Sequence, residues 1–195
     1  MITSAERVIE VNNASPQESA NRAYGLAEGA SNTKSTNSVG VPSTQSSVVL
    51  RVATLHDLAS LQHIEQTCFT TDRLSKSRFK FYIDAQHAEL IVAEREPSTS
   101  SSNLDKNKPS VNSIVGYGLL LLRRGTQLTR LYSIAVLPEA RGLGVAEKLI
   151  NSLGERALLR GKRFMRLEVA VGNAGAIALY KKLGFSQFGM YTDYY

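Results

Sequence analysis

A glycine-rich turn that joins a buried strand to an amphipathic helix most constrains what this chain can fold into. The turn lies in the run IAVLPEARGLGVA over residues 134–146, where the strand ends at Pro138 and glycines follow at 142 and 144. Glycine lets the backbone turn tightly and approach a ligand, and the amides at the positive end of a helix favour an anion. The run therefore predicts a strand-to-helix connection that binds phosphate; a glycine-rich turn without a ligand is the alternative.

Composition separates a folding core from two polar segments. Residues 30–47 are almost entirely small and polar, with two valines as the only large apolar side chains. Too little surface can be buried there to offset the loss of chain entropy on folding. We expect residues 1–47 to form a mobile polar tail and residues 48–195 to form one domain, in which residues 97–113 are a polar surface loop.

Apolar periodicity in the remaining sequence predicts strands interspersed with helices. The predicted strands cover residues 48–53, 89–93, 114–122, 128–136, 164–171 and 185–191. The predicted helices cover residues 58–68, 75–85, 145–160 and 173–183. Because both kinds of element recur along the chain, the predicted fold class is α/β, with helices packed against a sheet.

Charge and cysteine content limit the classes of partner. The chain has 23 Lys and Arg residues against 17 Asp and Glu, a net charge of +6, which favours anionic partners such as phosphorylated cofactors. Its basic residues are not interleaved with aromatic residues, so we do not expect nucleic-acid binding. A single cysteine and three histidines without ligand-like spacing predict no metal site and a reducing compartment.

The sequence also lacks the signals of membrane and exported proteins. No apolar run approaches the roughly 18 residues that a transmembrane helix needs. Glutamates at positions 6, 10, 18 and 28 oppose an amino-terminal presequence. We therefore expect a cytoplasmic protein that makes no membrane contact.

Two motifs at compatible spacing resemble the GNAT superfamily of N-acetyltransferases. The run Arg141-x-x-Gly144-x-Ala146 resembles the pyrophosphate loop of that family, Gln/Arg-x-x-Gly-x-Gly/Ala. Residues 167–185 are similar to the segment LEVxxxNxxAIxLYxxxGF of ribosomal-protein alanine N-acetyltransferases. The resemblance covers residues 48–195, is strongest over residues 132–185, and is absent from the amino-terminal tail.

The resemblance implies a mixed, mostly antiparallel sheet flanked by helices. In that family the fourth and fifth strands, here residues 128–136 and 164–171, splay apart, and acetyl-CoA enters the cleft between them. Relatives also continue past Tyr194 and Tyr195 into a last strand beside the sixth. We expect that strand to be missing here, which favours a fragment of a longer chain; a strand supplied by a neighbouring chain, as in a homodimer, or an exposed edge are the alternatives.

The resemblance also implies how acetyl-CoA would be held. Main-chain groups of residues 134–136 would pair with the pantetheine arm, residues 142–147 would wrap the pyrophosphate, and Asn173 would hold the pantetheine from the opposite side. The implied coenzyme-binding residues are Ile134, Ala135, Val136, Arg141, Gly142, Leu143, Gly144, Val145, Ala146, Glu147 and Asn173.

Two further residues are implied as catalytic groups. Glu168 matches the general base of the family, which accepts a proton from the attacking amine, here through water; a solvent-facing strand carboxylate is the alternative. Tyr180 matches the general acid, because a phenol with a pKa of about 10 stays protonated at neutral pH and can donate to a departing thiolate. A core aromatic residue is the alternative for Tyr180.

The resemblance thus implies an acyltransferase that moves acetyl from acetyl-CoA directly to a primary amine. The expected acceptor is the N-terminal amine of a peptide or protein, since its pKa of about 7.7 to 8.0 lies well below that of lysine. Small amines remain an alternative acceptor. A different class of function is a domain that binds acetyl-CoA or CoA without turnover, as a sensor or an interaction module of a larger protein.

Overall fold

A computed structural model describes residues 8–14, 47–96 and 114–191 of the chain. The strands are β1 (Val8–Ala14), β2 (Val48–Val52), β3 (Ala88–Arg95), β4 (Ile114–Leu122), β5 (Leu128–Val136), β6 (Phe164–Ala170) and β7 (Ser186–Tyr191). The helices are α1 (Leu58–Cys68), α2 (Lys76–Asp84), α3 (Val145–Leu159) and α4 (Ala174–Lys182), and short 3-10 turns at Leu55–Asp57 and Pro138–Ala140 precede α1 and the glycine turn. These elements confirm the predicted α/β class. The loop predicted over residues 97–113 lies outside the described residues.

The strands form one mixed sheet in the order β2-β3-β4-β5-β6-β1-β7. Among the described strands, β5 and β6 are the parallel pair, and the other neighbours are antiparallel. The register of the parallel pair runs from Leu128 opposite Phe164 to Leu131 opposite Leu167 and then stops. Both strands continue beyond that point, so they separate toward their carboxyl ends, and the predicted splayed pair is confirmed.

Two apolar clusters pack on opposite faces of the sheet. The first, which we call the α3 cluster, joins the sheet to α3 and α4 through side chains such as Leu149 and Leu167. The second, the α1 cluster, joins it to α1 and α2 through side chains such as Leu61 and Phe79. Successive residues of β3 alternate between the two clusters, as the pleat of a strand requires. The sheet is therefore covered by helices on both faces.

Strand β1 corrects the expectation of a wholly mobile tail over residues 1–47. Residues Val8–Ala14 pair antiparallel with β6 on one side and with β7 on the other. The position beside the predicted sixth strand is thus taken by a strand from the start of the sequence, which none of the three predicted alternatives included. The rest of the predicted tail, residues 1–7 and 15–46, lies outside the described residues.

Within residues 8–14, 47–96 and 114–191, the structure contains neither a helix that could cross a membrane nor a group of side chains that could hold a metal ion. None of their helices combines the length and apolar character that crossing a membrane requires. Their His, Cys, Asp and Glu side chains do not gather into a group of three or more that could hold a metal ion.

Candidate functional site

The opening between β5 and β6 leaves a stretch of strand edge without a partner. Residues 133–136 of β5 pair with β4 on one side, and within the described part of the chain β6 does not pair with them on the other. An unpaired strand edge offers N–H and C=O groups to an extended ligand. The positions implied for the pantetheine arm, Ile134, Ala135 and Val136, all lie on this edge.

The glycine turn lies just beyond the end of β5. Gly142 and Gly144 have φ values of +78° and +73°, a conformation that favours glycine. Crowding does not explain the two glycines, because a Cβ at either position would meet nothing within 4 Å. The first helical hydrogen bond of α3 runs from the N–H of Lys148 to the carbonyl of Gly144 at 3.0 Å. Over the residues that the structure describes, no acceptor pairs with the backbone amides of residues 142–147. The turn therefore presents donors at a positive helix end, which suits an anion.

Arg141 ties the glycine turn to the end of β5. Its Nε donates to the carbonyl oxygen of Val136 at 3.2 Å, and the Sγ of Cys68 on α1 lies 3.5 Å from the same oxygen. The carbonyl of Val136 is therefore already engaged within the chain. Burial raises the pKa of the Cys68 thiol, so this thiol stays protonated at neutral pH.

Glu168 lies on β6 at the level where the two strands have separated. Its side chain is 14% exposed and forms an ion pair with the guanidinium of Arg130 on β5. That guanidinium also lies over the ring of Tyr132, 5.4 Å from its centroid. The ion pair joins the last paired part of β5 to the first residue of β6 that is not paired with β5, at the edge of the opening, and orients the Glu168 carboxylate.

A row of aromatic and cationic side chains extends from Glu168 toward α2. The hydroxyl of Tyr132 accepts from Arg78 on α2 at 3.4 Å, and the rings of Tyr82 and Tyr132 are 6.0 Å apart. We call Arg78, Tyr82, Arg130 and Tyr132 the acceptor wall. Sequence reasoning considered Arg130 as a contact for an acidic acceptor but did not assign Arg78, Tyr82 or Tyr132 to the site. The available signal was that Arg130 and Tyr132, two residues apart, lie on one face of β5.

Tyr180 lies on α4 and belongs to the α3 cluster. It is 6% exposed, and its ring contacts that of Phe185 at a centroid distance of 5.8 Å. Burial raises the pKa of Tyr180 to about 12. The phenol is therefore protonated at every pH at which the protein would be assayed.

Glu168 and Tyr180 belong to opposite sides of the sheet. Arg130, the ion-pair partner of Glu168, lies over the ring of Tyr132, and Tyr132 packs against the α1 cluster. Tyr180, in contrast, is part of the α3 cluster. Strands β5 and β6 separate between these two clusters. A molecule that passes through the opening therefore has Glu168 on one side and Tyr180 on the other.

Asn173 and Glu147 make defined contacts at the two ends of α4. The Oδ1 of Asn173 caps α4 by accepting from the N–H of Ala176 at 3.1 Å, which is the usual role of asparagine at a helix start. Glu147, in the first turn of α3, pairs with the Nζ of Lys182 at 2.7 Å. This pair joins the first turn of α3 to the end of α4 and brings a cation, which the sequence had not indicated, to the glycine turn.

A buried polar network lies beneath β5 and was also missed. The hydroxyl of Tyr117 donates to Oε1 of Glu65 and lies 2.7 Å from the Oγ of Ser133. Oε2 of Glu65 accepts from the N–H of Leu74 at 2.8 Å. Burial raises the pKa of Glu65, despite these donors. The network joins α1 to the strand that borders the opening.

Replacing Tyr117 with phenylalanine should destabilise the fold. The substitution keeps the ring, which packs edge-on against Phe79, but removes the donor to Oε1 of the buried Glu65 carboxyl, while the N–H of Leu74 still donates to Oε2. We expect the free energy of unfolding to fall by about 1–3 kcal/mol, measured by urea denaturation. Tyr82→Phe is the control, since its hydroxyl makes no hydrogen bond among the described residues; an equal loss in both variants would contradict the role of the network.

Comparison with known protein families matches residues 58–185 to the Acetyltransferase (GNAT) family. The matched range begins with α1 and ends at Phe185. It contains the opening, the glycine turn, Glu168 and Tyr180. It does not include β1 or β7.

Two sequences illustrate the relatives. A protein of Bacillus subtilis strain 168, assigned as a ribosomal protein bS18-alanine N-acetyltransferase, is 28% identical over 142 residues, which is 72% of this chain and 82% of that protein. A thialysine N-epsilon-acetyltransferase of Sus scrofa is 40% identical over 100 residues, which is 50% of this chain and 52% of that protein. The chain thus spans about half the length of the second relative.

Solved structures share the fold at low sequence identity. The ribosomal-protein-S18-alanine N-acetyltransferase of Escherichia coli superposes with a TM-score of 0.58 at 22% identity, over 73% of this chain and 80% of that one. An aminoglycoside N-acetyltransferase, solved in complex with CoA, gives 0.59 at 18% identity, over 76% of this chain and 93% of that one. At this level of identity the likeness concerns the fold.

Proposed function

Because the chain belongs to the GNAT family of acetyltransferases, we propose that it transfers an acetyl group from acetyl-CoA to a primary amine. The observation that carries this proposal is the opening between β5 and β6. It has the unpaired amides of the glycine turn at its rim. Glu168 lies toward one face of the sheet and Tyr180 toward the other. The coenzyme would enter from the α3 side and the amine from the side of the acceptor wall.

The chain's own groups suit an extended, phosphorylated coenzyme. The amides of residues 142–147 would donate to the pyrophosphate, and the edge of β5 would pair with the pantetheine arm through Ile134 and Ala135. Asn173 would contact that arm from the start of α4 while its Oδ1 caps the helix. The acetyl group would then lie between the strands, with its thioester carbon open to attack from the Glu168 side.

Transfer needs one proton removed and one supplied. The amine must lose a proton as its nitrogen bonds to the acetyl carbon, and the bond between that carbon and sulfur breaks. Glu168 would accept the amine proton through water, with its carboxylate oriented by Arg130. Glu168, held in place by Arg130, is thus a positioned base beside the acceptor wall.

Tyr180 would act at the departing sulfur. A phenol with a pKa of about 12 is protonated and donates a hydrogen bond as negative charge develops on the thiolate. Burial also raises the pKa of a thiol, as it does for Cys68, so an apolar environment favours the protonated thiol as the product. Proton delivery to sulfur then completes the transfer. Direct transfer fits the sequence, whose only cysteine keeps its proton.

A peptide or protein N-terminal amine is the proposed acceptor. Its pKa of about 7.7 to 8.0 leaves a useful fraction unprotonated at neutral pH, unlike lysine at about 10.4. The name of the Bacillus relative points to such an amine, and that of the thialysine acetyltransferase to a small side-chain amine. The alternative function, a CoA-binding module without turnover, predicts coenzyme binding with no acetylated product.

A matched acceptor panel tests this proposal. Purified full chain is incubated with acetyl-CoA and three acceptors: a peptide with a free alanine N-terminus, the same peptide with that amine blocked and one lysine added, and a small diamine. Product is followed by mass spectrometry. We expect acetylation of the free N-terminus above the other two; preference for the diamine would favour the small-amine alternative, and no product from any acceptor would contradict the transferase.

Tyr180→Phe should slow transfer without weakening coenzyme binding. The substitution keeps the buried ring against Phe185 but removes the donor to sulfur. We expect kcat to fall by at least about tenfold, with the Kd for acetyl-CoA from calorimetry unchanged. An unchanged kcat would remove Tyr180 from the reaction, and parallel losses in rate and binding would make it a structural residue.

A further inference from the structure

Strand β1 lies between the two strands that flank the candidate catalytic residues. We propose that Val8–Ala14 is a complementing strand, supplied by the same chain, that docks in a slot between β6 and β7 and so positions Glu168 and α4 for acetyl transfer. Val8–Ala14 lies outside the matched family range, and its catalytic role, though not its docking, rests on the proposed function. The partner that this slot fits is an extended peptide strand with the sequence VIEVNNA.

The pairing of β1 covers β6 at the candidate base. Seven successive residues of β1 oppose residues 164–170 of β6, and Glu10 lies directly opposite Glu168 in the register. On its other side β6 is paired only up to Leu167, because β5 has separated. Around Glu168 the backbone of β6 is therefore held by β1 and by no other described strand.

The position of β7 depends on β1 as well. In the described sheet β7 is the edge strand, and β1 is its neighbour. It follows Phe185, whose backbone N–H donates to the carbonyl of Tyr180 at 3.0 Å and whose ring contacts the Tyr180 ring. Removing β1 would leave β7 without a ladder of hydrogen bonds. Strand β1 thus connects the element of the candidate base to the element that follows the candidate acid.

The connecting sequence permits docking within one chain. Residues 15–47 separate β1 from β2, and a segment of that length can span up to roughly 100 Å, more than enough to cross a domain. The entropy cost of closing a loop grows only slowly with its length. The length of the connection therefore allows Val8–Ala14 to dock within its own chain.

Hydrogen exchange on the full chain tests the docking without any assay of turnover. In Ile9→Pro, the proline removes a ladder donor within β1. We expect amides of residues 186–191 and 168–170 to exchange at least about tenfold faster, while α3, β3 and β4 stay protected. Ser38→Pro, in the connecting sequence, is the matched control. Unchanged exchange in β7 would overturn the proposal, and protection of β7 that rises with protein concentration would assign the strand to a second copy and overturn docking in cis.

Rescue in trans separates positioning from general loss of structure. A synthetic peptide of residues 5–16 is added at millimolar concentration to the Ile9→Pro chain, with the same peptide carrying Ile9→Pro as its control. We expect the variant to bind acetyl-CoA normally but to transfer acetyl slowly, and the unmodified peptide to restore both β7 protection and kcat. Full kcat in Ile9→Pro despite fast exchange would overturn the positioning role. If protection of β7 depends on β1 but the wild-type chain transfers no acetyl group, the docking is supported and the proposed function is contradicted.

Discussion

Glu168→Gln is expected to slow acetyl transfer by about 10²–10⁴-fold, the usual contribution of a positioned base. The amide keeps the size of the side chain and can still accept from Arg130, but it cannot take the proton of the amine. The loss should be largest below the pKa of the amine, where the acceptor is protonated, and smaller above it. Calorimetry should show an unchanged Kd for acetyl-CoA.

The pH profile of kcat/KM distinguishes this role from a structural one. A control, Glu155→Gln, changes an exposed carboxylate on α3 and should leave the profile intact. A Glu168→Gln variant with an unaltered profile, or with coenzyme affinity reduced in proportion to its rate, would show that Glu168 holds the opening together through Arg130 and does not act as the base.

Gly144→Val should weaken acetyl-CoA binding by at least about tenfold. Gly144 is the N-cap of α3 and has a φ of +73°, a conformation that costs a β-branched residue roughly 1–2 kcal/mol or more. If the backbone relaxes, the amides of residues 142–147 no longer converge. If it does not, the new side chain occupies the open space beside the turn. Either outcome raises the KM for acetyl-CoA and reduces the thermal stabilisation that the ligand provides.

Gly125→Val is the matched control for that loss. Gly125 has a similar φ of +69°, equally open surroundings, and a place in the turn between β4 and β5, at the other end of β5. We expect it to lower the melting temperature by a comparable amount while the KM for acetyl-CoA stays the same. Equal KM changes in the two variants would mean that strain alone, and not the glycine turn, decides coenzyme binding.

Short-range signals made the helices and the glycine turn predictable. Gly142 and Gly144 mark the turn because few other residues adopt a positive φ, and the apolar residues of α3 repeat at helical spacing. The splayed strands followed from a family resemblance and not from periodicity. Composition averaged over residues 1–47 hid β1, since this seven-residue strand gains its stability from partners 150 or more residues away in the sequence.

The contacts around the candidate site were less predictable for the same reason. Arg130 and Glu168 are 38 residues apart, and Glu65 and Tyr117 are 52 residues apart. Neither pair has a local sequence pattern, because strand register and helix docking bring its members together. Helical spacing alone favoured a core residue at Tyr180, and the family resemblance reversed that preference; burial of Tyr180 in the α3 cluster is compatible with both.

Isothermal titration of acetyl-CoA into the full chain is the most direct test that the opening between β5 and β6 is a coenzyme site. We expect one molecule to bind per chain, and Gly144→Val to weaken that binding while Gly125→Val does not. A chain that is folded by circular dichroism but releases no binding heat at several temperatures would contradict the assignment, and the glycine turn would then be a strand-to-helix connection without a ligand.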